Sequence, residues 1–162
     1  MKILGITAPI SENTAACLLR DGKLIAFAEE ERFNGIKHAP RMLPQKAIEY
    51  CLETAGISMK EIDYIAVGYD SVFKSWAKNI FTNISESNFR RLIRENGAYL
   101  DYFSKTFRLR DYLLSLDKNG KSWKKIRYIS HHLAHAASTA RFSGFEESIV
   151  ISLDGVGENN AG

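Results

Sequence analysis

The sequence predicts an α/β fold built on a mixed sheet, and three observations carry that prediction. Asp21-Gly22 separates two apolar runs, Thr14–Leu19 and Lys23–Ala28. Asp-Gly in that setting is a strong hairpin signal, because a type I′ turn needs φ > 0 at both central residues. Ala47, Ile48, Cys51, Leu52 and Ala55 recur on one face of a helical period. Ser148–Leu153 is a mainly apolar run of strand length. Strands interleaved with helices, one pair of them a hairpin, describe an α/β chain whose sheet mixes directions.

Taken in order, Lys2–Thr7 reads as a first strand and the Asp21-Gly22 hairpin follows it. Glu29–Phe33 ends the hairpin in charge, read as a solvated run, and Gly35 and Pro40 mark a loop. Pro44 sits where the first turn of a helix tolerates it, and Gly56 stops that helix. Ile62–Gly68 is a strand leading into a loop at Tyr69–Ser71. Residues 72–116 read as helices, Asn119-Gly120 as a turn and Lys125–Ile129 as a short strand. Ser130 then stands as an N-cap for a helix over His131–Phe142, ended near Gly144. The last strand, Ser148–Leu153, is expected to share a sheet with the hairpin, and it empties into the Gly-rich segment Asp154–Gly162. A strand that stops in such a segment predicts a fragment of a longer chain.

The 162 residues, 45% hydrophobic and 25% charged, have the composition of an ordinary globular domain, which excludes disordered and collagen-like classes. No run approaches the ~18 apolar residues of a membrane span, and Met1–Ile10 lacks a secretory apolar core. A cytoplasmic protein without membrane association is expected. Cys17 and Cys51 form no CxxC and are read as core side chains. Residues 90–127 hold eleven Lys/Arg against four Asp/Glu, leaving the remainder net acidic. The aromatics in that basic stretch follow helical spacing, so a solvated or domain-facing surface is expected rather than a nucleic-acid interface.

Three of the four His fall within His131–His135. Residues four apart on a helix lie about 40° apart in projection and about 6 Å along the axis, so His131 and His135 can face one ion. His132 and His135, three apart, can do so as well. A zinc-protease helix is excluded, because His132 stands where the HExxH motif needs its Glu. Asp154, at a strand end, is the carboxylate candidate. Two His and one carboxylate with open positions suit a divalent ion such as Fe(II). Gly155 and Gly157 would let backbone N–H groups approach a phosphate, although a bare turn explains them equally well.

These motifs together resemble the N-terminal part of the O-carbamoyltransferase family that includes the nodulation-factor, cephamycin and tobramycin carbamoyltransferases. The matching stretches are Ile3–Thr7, Thr14–Leu18 with Asp21-Gly22, Glu30–Phe33 with Lys37-His38, Ala47–Leu52, His131–Ser138 and Ser152–Glu158. The resemblance implies the first lobe of an actin/Hsp70-type (ribonuclease H-like) nucleotide-binding fold, related to the tRNA threonylcarbamoyl-transfer protein. It implies that His131, His135 and Asp154 ligate iron, with a further aspartate ligand beyond Gly162, and that Lys37 contacts an anion. It further implies that a carbamoyl group moves from carbamoyl-adenylate, made by the full-length protein from ATP and carbamoyl phosphate, to a hydroxyl of a small-molecule acceptor. The isolated fragment, without the C-terminal portion of the same chain, is expected to be inactive and to bind ATP poorly. One departure stands out. The family's usual His-Asp pair in the loop after the first strand is replaced by Pro9-Ile10-Ser11-Glu12-Asn13, and Ser11 cannot carry a proton near neutral pH as a His can. A non-catalytic module that keeps the fold and a tRNA-modifying relative are the competing alternatives.

Overall fold

In the computed structural model, which describes residues 1–7, 9–85, 89–117 and 122–152, the hairpin forms as its turn residues require. β1 (Lys2–Ile6) is followed by β2 (Ala15–Arg20) and β3 (Lys23–Glu29). Asp21 and Gly22 take φ values of 51° and 79°, both left-handed, as a type I′ turn demands. α1 (Glu31–Asn34) is a single turn. α2 (Gln45–Ala55) begins directly after Pro44 and ends at Gly56, whose N–H returns to the Glu53 and Leu52 carbonyls. β4 (Tyr64–Val67), α3 (Val72–Ser85), α4 (Phe89–Leu116), β5 (Ile126–Tyr128) and α5 (His131–Phe142) complete the described strands and α-helices.

The sheet order is β3-β2-β1-β4-β5. β2 runs antiparallel to both of its neighbours, whereas β1, β4 and β5 are parallel. Strand residues alternate in burial, and Leu4, Ile6, Leu18, Ala26, Ile65 and Val67 share one core with Ala47, Ile48, Cys51 and Leu52 of α2 and Leu109 and Leu113 of α4. Cys51 is a core side chain, as expected from sequence, and burial pushes its thiol up to about 11. Cys17, expected in the core as well, is instead half-buried on the opposite face of the sheet, where burial also raises its thiol. On the described part of α4, Tyr102, Leu109 and Leu113 are buried. Arg108 and Arg110 are exposed, whereas Lys105, paired with Asp101 at 2.8 Å, is 17% exposed, so the described part of the basic stretch is solvated only in part. No described helix is long and apolar enough to cross a membrane.

On the other side of the sheet Gly5 pairs with Cys17, and a Cβ at position 5 would stand 2.7 Å from Cys17 Sγ. Alanine normally favours a strand over glycine, so here the overlap sets the sign. Gly5→Ala is expected to cost about 1–3 kcal/mol in urea unfolding, and adding Cys17→Ala should recover most of the loss. Full stability in Gly5→Ala alone would show that Cys17 Sγ rotates out of the way without cost.

Two expectations are corrected. The Glu29–Phe33 run is not wholly solvated, since Glu30 is 4% exposed. Its carboxylate accepts from the backbone N–H groups of Lys46 (3.2 Å) and Ala47 (2.9 Å). Pro44 supplies no side-chain cap, so a residue from the preceding loop satisfies donors that the first turn of α2 leaves open. The second correction concerns Ser148–Leu153. Its described part, 148–152, forms no ladder and joins no sheet with the hairpin, and Ile149 and Ile151 are 93% and 77% exposed. Apolar composition gives a segment the capacity for a strand, but pairing with a neighbouring edge makes one. Leu153, the Asn119-Gly120 turn and Asp154–Gly162 lie outside the described residues.

Candidate metal centre

β1 and β4 lie side by side and parallel, yet the chain leaves β1 toward β2 on one side and the partner of β4 on the other side is β5. Strand ends whose connections diverge leave a crevice between them, the usual ligand position in such sheets. Here a cleft of about 530 Å³ opens at that point. The loop after β1 contributes Ser11, Glu12 and Asn13 to its wall, the loop after β4 contributes Gly68 and Tyr69, and α5 contributes His131 and His135.

α5 reaches the cleft because β5 ends beside β4, where the Ile129 N–H donates to the Val67 carbonyl at 2.8 Å. Ser130 occupies the N-cap position without a side-chain cap hydrogen bond, and the first turn of the helix starts at the strand ends. The His131 and His135 rings meet edge to face with centroids 4.4 Å apart and their Nε2 atoms 3.0 Å apart. His131 Nδ1–H donates to the Gly68 carbonyl at 3.3 Å, and the Tyr69 ring packs on it at 4.4 Å. A proton held on Nδ1 leaves the Nε2 lone pair for a ligand, the usual arrangement of an ion-binding imidazole. Two nitrogens about 2.1 Å from one ion and about 90° apart at it are about 3.0 Å from each other. The separation matches that of two adjacent positions on an octahedral ion, and it is equally that of one imidazole N–H donating to the other.

His132 takes another direction, with Nδ1 3.3 Å from Ser152 Oγ. Of the two spacings open from sequence, the four-residue pair is thus the one that the fold aligns. Among the described residues no third His, Cys, Asp or Glu converges on it. Asp154, Gly155 and Gly157 lie outside the described residues, and Lys37 is exposed on the loop between α1 and α2, off the cleft wall.

Both wall loops are braced from behind. Asp70 is buried and paired with Lys74 at 2.7 Å and Lys78 at 3.0 Å, and its carbonyl accepts from the Tyr102 hydroxyl at 3.0 Å. Burial alone would raise its carboxyl, but the two ammonium groups overcome this and hold it below the usual carboxylate range. The loop after β1 is tied to residues 38–41 through Arg41 N–H to the Ser11 carbonyl (2.8 Å) and Thr14 N–H to the His38 carbonyl (3.0 Å). His38, Ala39 and Arg41 hold left-handed φ values of 64°, 43° and 56°, a costly backbone for non-glycine residues. No local spacing marks Tyr69, and Glu12 is marked only by its place in the loop that departs from the family's His-Asp pair; the strand order brings both to the cleft that holds the histidines.

With this geometry in place, comparison with known proteins identifies the family. The sequence model described as the N-terminus of carbamoyltransferases matches residues 2–161. The chain is 37% identical over 148 residues to nodulation protein NolNO of Sinorhizobium fredii, covering 91% of this chain and 20% of that protein. It is also 37% identical over 161 residues to an uncharacterised protein of Synechocystis, covering 96% of this chain and 26% of the relative. The chain thus spans about a fifth to a quarter of the length of these relatives. A match that runs from the first strand to the last two residues of the chain places it, by sequence, in the carbamoyltransferase N-terminus family.

Proposed function

We propose that the chain is the first lobe of an actin/Hsp70-type nucleotide-binding domain within a longer O-carbamoyltransferase. In that protein a carbamoyl group passes from carbamoyl-adenylate, formed from ATP and carbamoyl phosphate, to a hydroxyl of a small molecule. The His131–His135 pair, with nitrogens 3.0 Å apart in a cleft at the strand ends, is the observation that carries this proposal. The β3-β2-β1-β4-β5 order with β2 reversed supports the fold assignment. The small share of each relative that the chain covers supports a longer protein. In this proposal His131, His135 and Asp154 hold a divalent ion, Fe(II) in the first instance, which when bound supplies Lewis acidity toward the donor's phosphate. His131 is oriented for that task by the Gly68 carbonyl and Tyr69, while the Gly155 and Gly157 amides contact the phosphate; Lys37, off the cleft wall, takes no part in this arrangement.

The test uses the complete polypeptide with ATP, labelled carbamoyl phosphate and glycerol as a hydroxyl probe. Label is expected in a carbamate ester, dependent on ATP and abolished by a chelator. Transfer that proceeds equally without ATP would exclude the adenylate route, and no transfer under any condition would favour a module that keeps the fold without the activity.

A further inference from the structure

We propose that Glu12 is the general base that takes the proton from the acceptor hydroxyl, an inference that rests on the carbamoyl-transfer reading above. The ionisable side chains on the described wall of the cleft are Glu12, Tyr69, His131 and His135. The two imidazoles face each other at 3.0 Å, and Tyr69 is packed on His131. Ser11 has a hydroxyl that forms no proton-accepting anion near neutral pH. Glu12, the next residue on the same loop, brings a carboxylate to the cleft instead. Its side chain is 77% exposed, and its ion pair with Arg41 spans 3.8 Å, beyond hydrogen-bonding distance. Its oxygens are therefore accessible to a substrate hydroxyl.

Glu12 does not join the histidines in a ligand cluster, and that separation suits a base. The phosphate is the leaving group, so the nucleophile must approach the carbamoyl carbon from a different direction, and the group that takes its proton belongs in the same cleft but outside the ion's ligand set. In the step, the acceptor oxygen forms a bond to the carbamoyl carbon as its proton passes to Glu12. The bond from that carbon to the phosphate oxygen breaks, and its electron pair leaves on AMP. The product is the carbamate ester, and Glu12 returns its proton to solvent, to which it is open. The loop's ties to residues 38–41 hold Glu12 at the wall, since a base must stay within hydrogen-bond reach of the proton it removes.

The test compares two nucleophiles in the complete polypeptide supplied with carbamoyl-adenylate. Glycerol needs its hydroxyl proton removed, whereas hydroxylamine attacks through a neutral nitrogen and needs no base. Glu12→Gln is expected to lower transfer to glycerol about a hundredfold while leaving transfer to hydroxylamine within about threefold, and Glu12→Asp should recover part of the glycerol rate. Equal losses with both nucleophiles, or no loss with glycerol, would overturn the assignment while leaving carbamoyl transfer intact. An unsubstituted protein that transfers to neither nucleophile would instead remove the reading on which the assignment stands.

Discussion

Alanine in place of His131 or His135 is expected to lower carbamoyl transfer by the complete polypeptide about a hundredfold or more, and His132→Ala by less than about threefold. Loss of an outer-sphere partner already costs about 10- to 100-fold in metal affinity or activity, and these variants remove a ligand outright. The contrast follows from direction. His131 and His135 put their Nε2 atoms 3.0 Å apart, whereas His132 turns to Ser152. Absorbance of Co(II) added to each variant reads binding separately from turnover: the first two variants should lose the ligand-field bands and His132→Ala should keep them. If His132→Ala loses the bands and His131→Ala keeps them, the aligned pair is not the ligand pair. Retained transfer in both His131→Ala and His135→Ala would remove the metal proposal altogether.

The largest stability effect outside the apolar core is expected at Glu30. Glu30→Ala should cost about 2–4 kcal/mol by urea denaturation, because it strands two backbone donors at a buried helix start and removes a charge complementary to the helix dipole. Glu30→Gln keeps one acceptor oxygen and should cost about half as much. The same carboxylate spans from the end of β3 to α2, so its loss loosens the packing of that helix on the hairpin. A fall below about 0.5 kcal/mol in Glu30→Ala would show that water caps the helix equally well.

The fold was legible in this sequence wherever local chemistry decides conformation. Asp21-Gly22, Pro44 and Gly56 carry backbone requirements that hold regardless of surroundings, and the hairpin and α2 lie where they indicate. The imidazole pair was legible because helical spacing is itself a geometry. Glu30 was not, because its role depends on a helix start sixteen residues later that approaches only after folding. Ser148–Leu153 shows the opposite failure, since its composition suits a strand but pairing is a property of two segments. Tyr69 became visible as a site residue only through the neighbouring positions of β1 and β4, which also bring Glu12 to the cleft.

α5 carries the histidine pair yet contributes no buried residue, and Leu133 and Phe142 on it are 60% and 78% exposed. Its described ties to the sheet include the close approach of Ala134 to Gly68 and the hydrogen bond from His131 to the Gly68 carbonyl. A helix with no buried residue among the described ones belongs with the elements that open locally at lower free energy than the core. On the metal proposal, occupancy of the pair and seating of the helix are coupled equilibria. A ligand that binds only the seated state, present at a hundred times its dissociation constant, adds about 2.7 kcal/mol to that state. On the metal proposal, affinity at two imidazoles would add to the stability of a whole helix, and with it to that of the cleft wall it shares with Glu12.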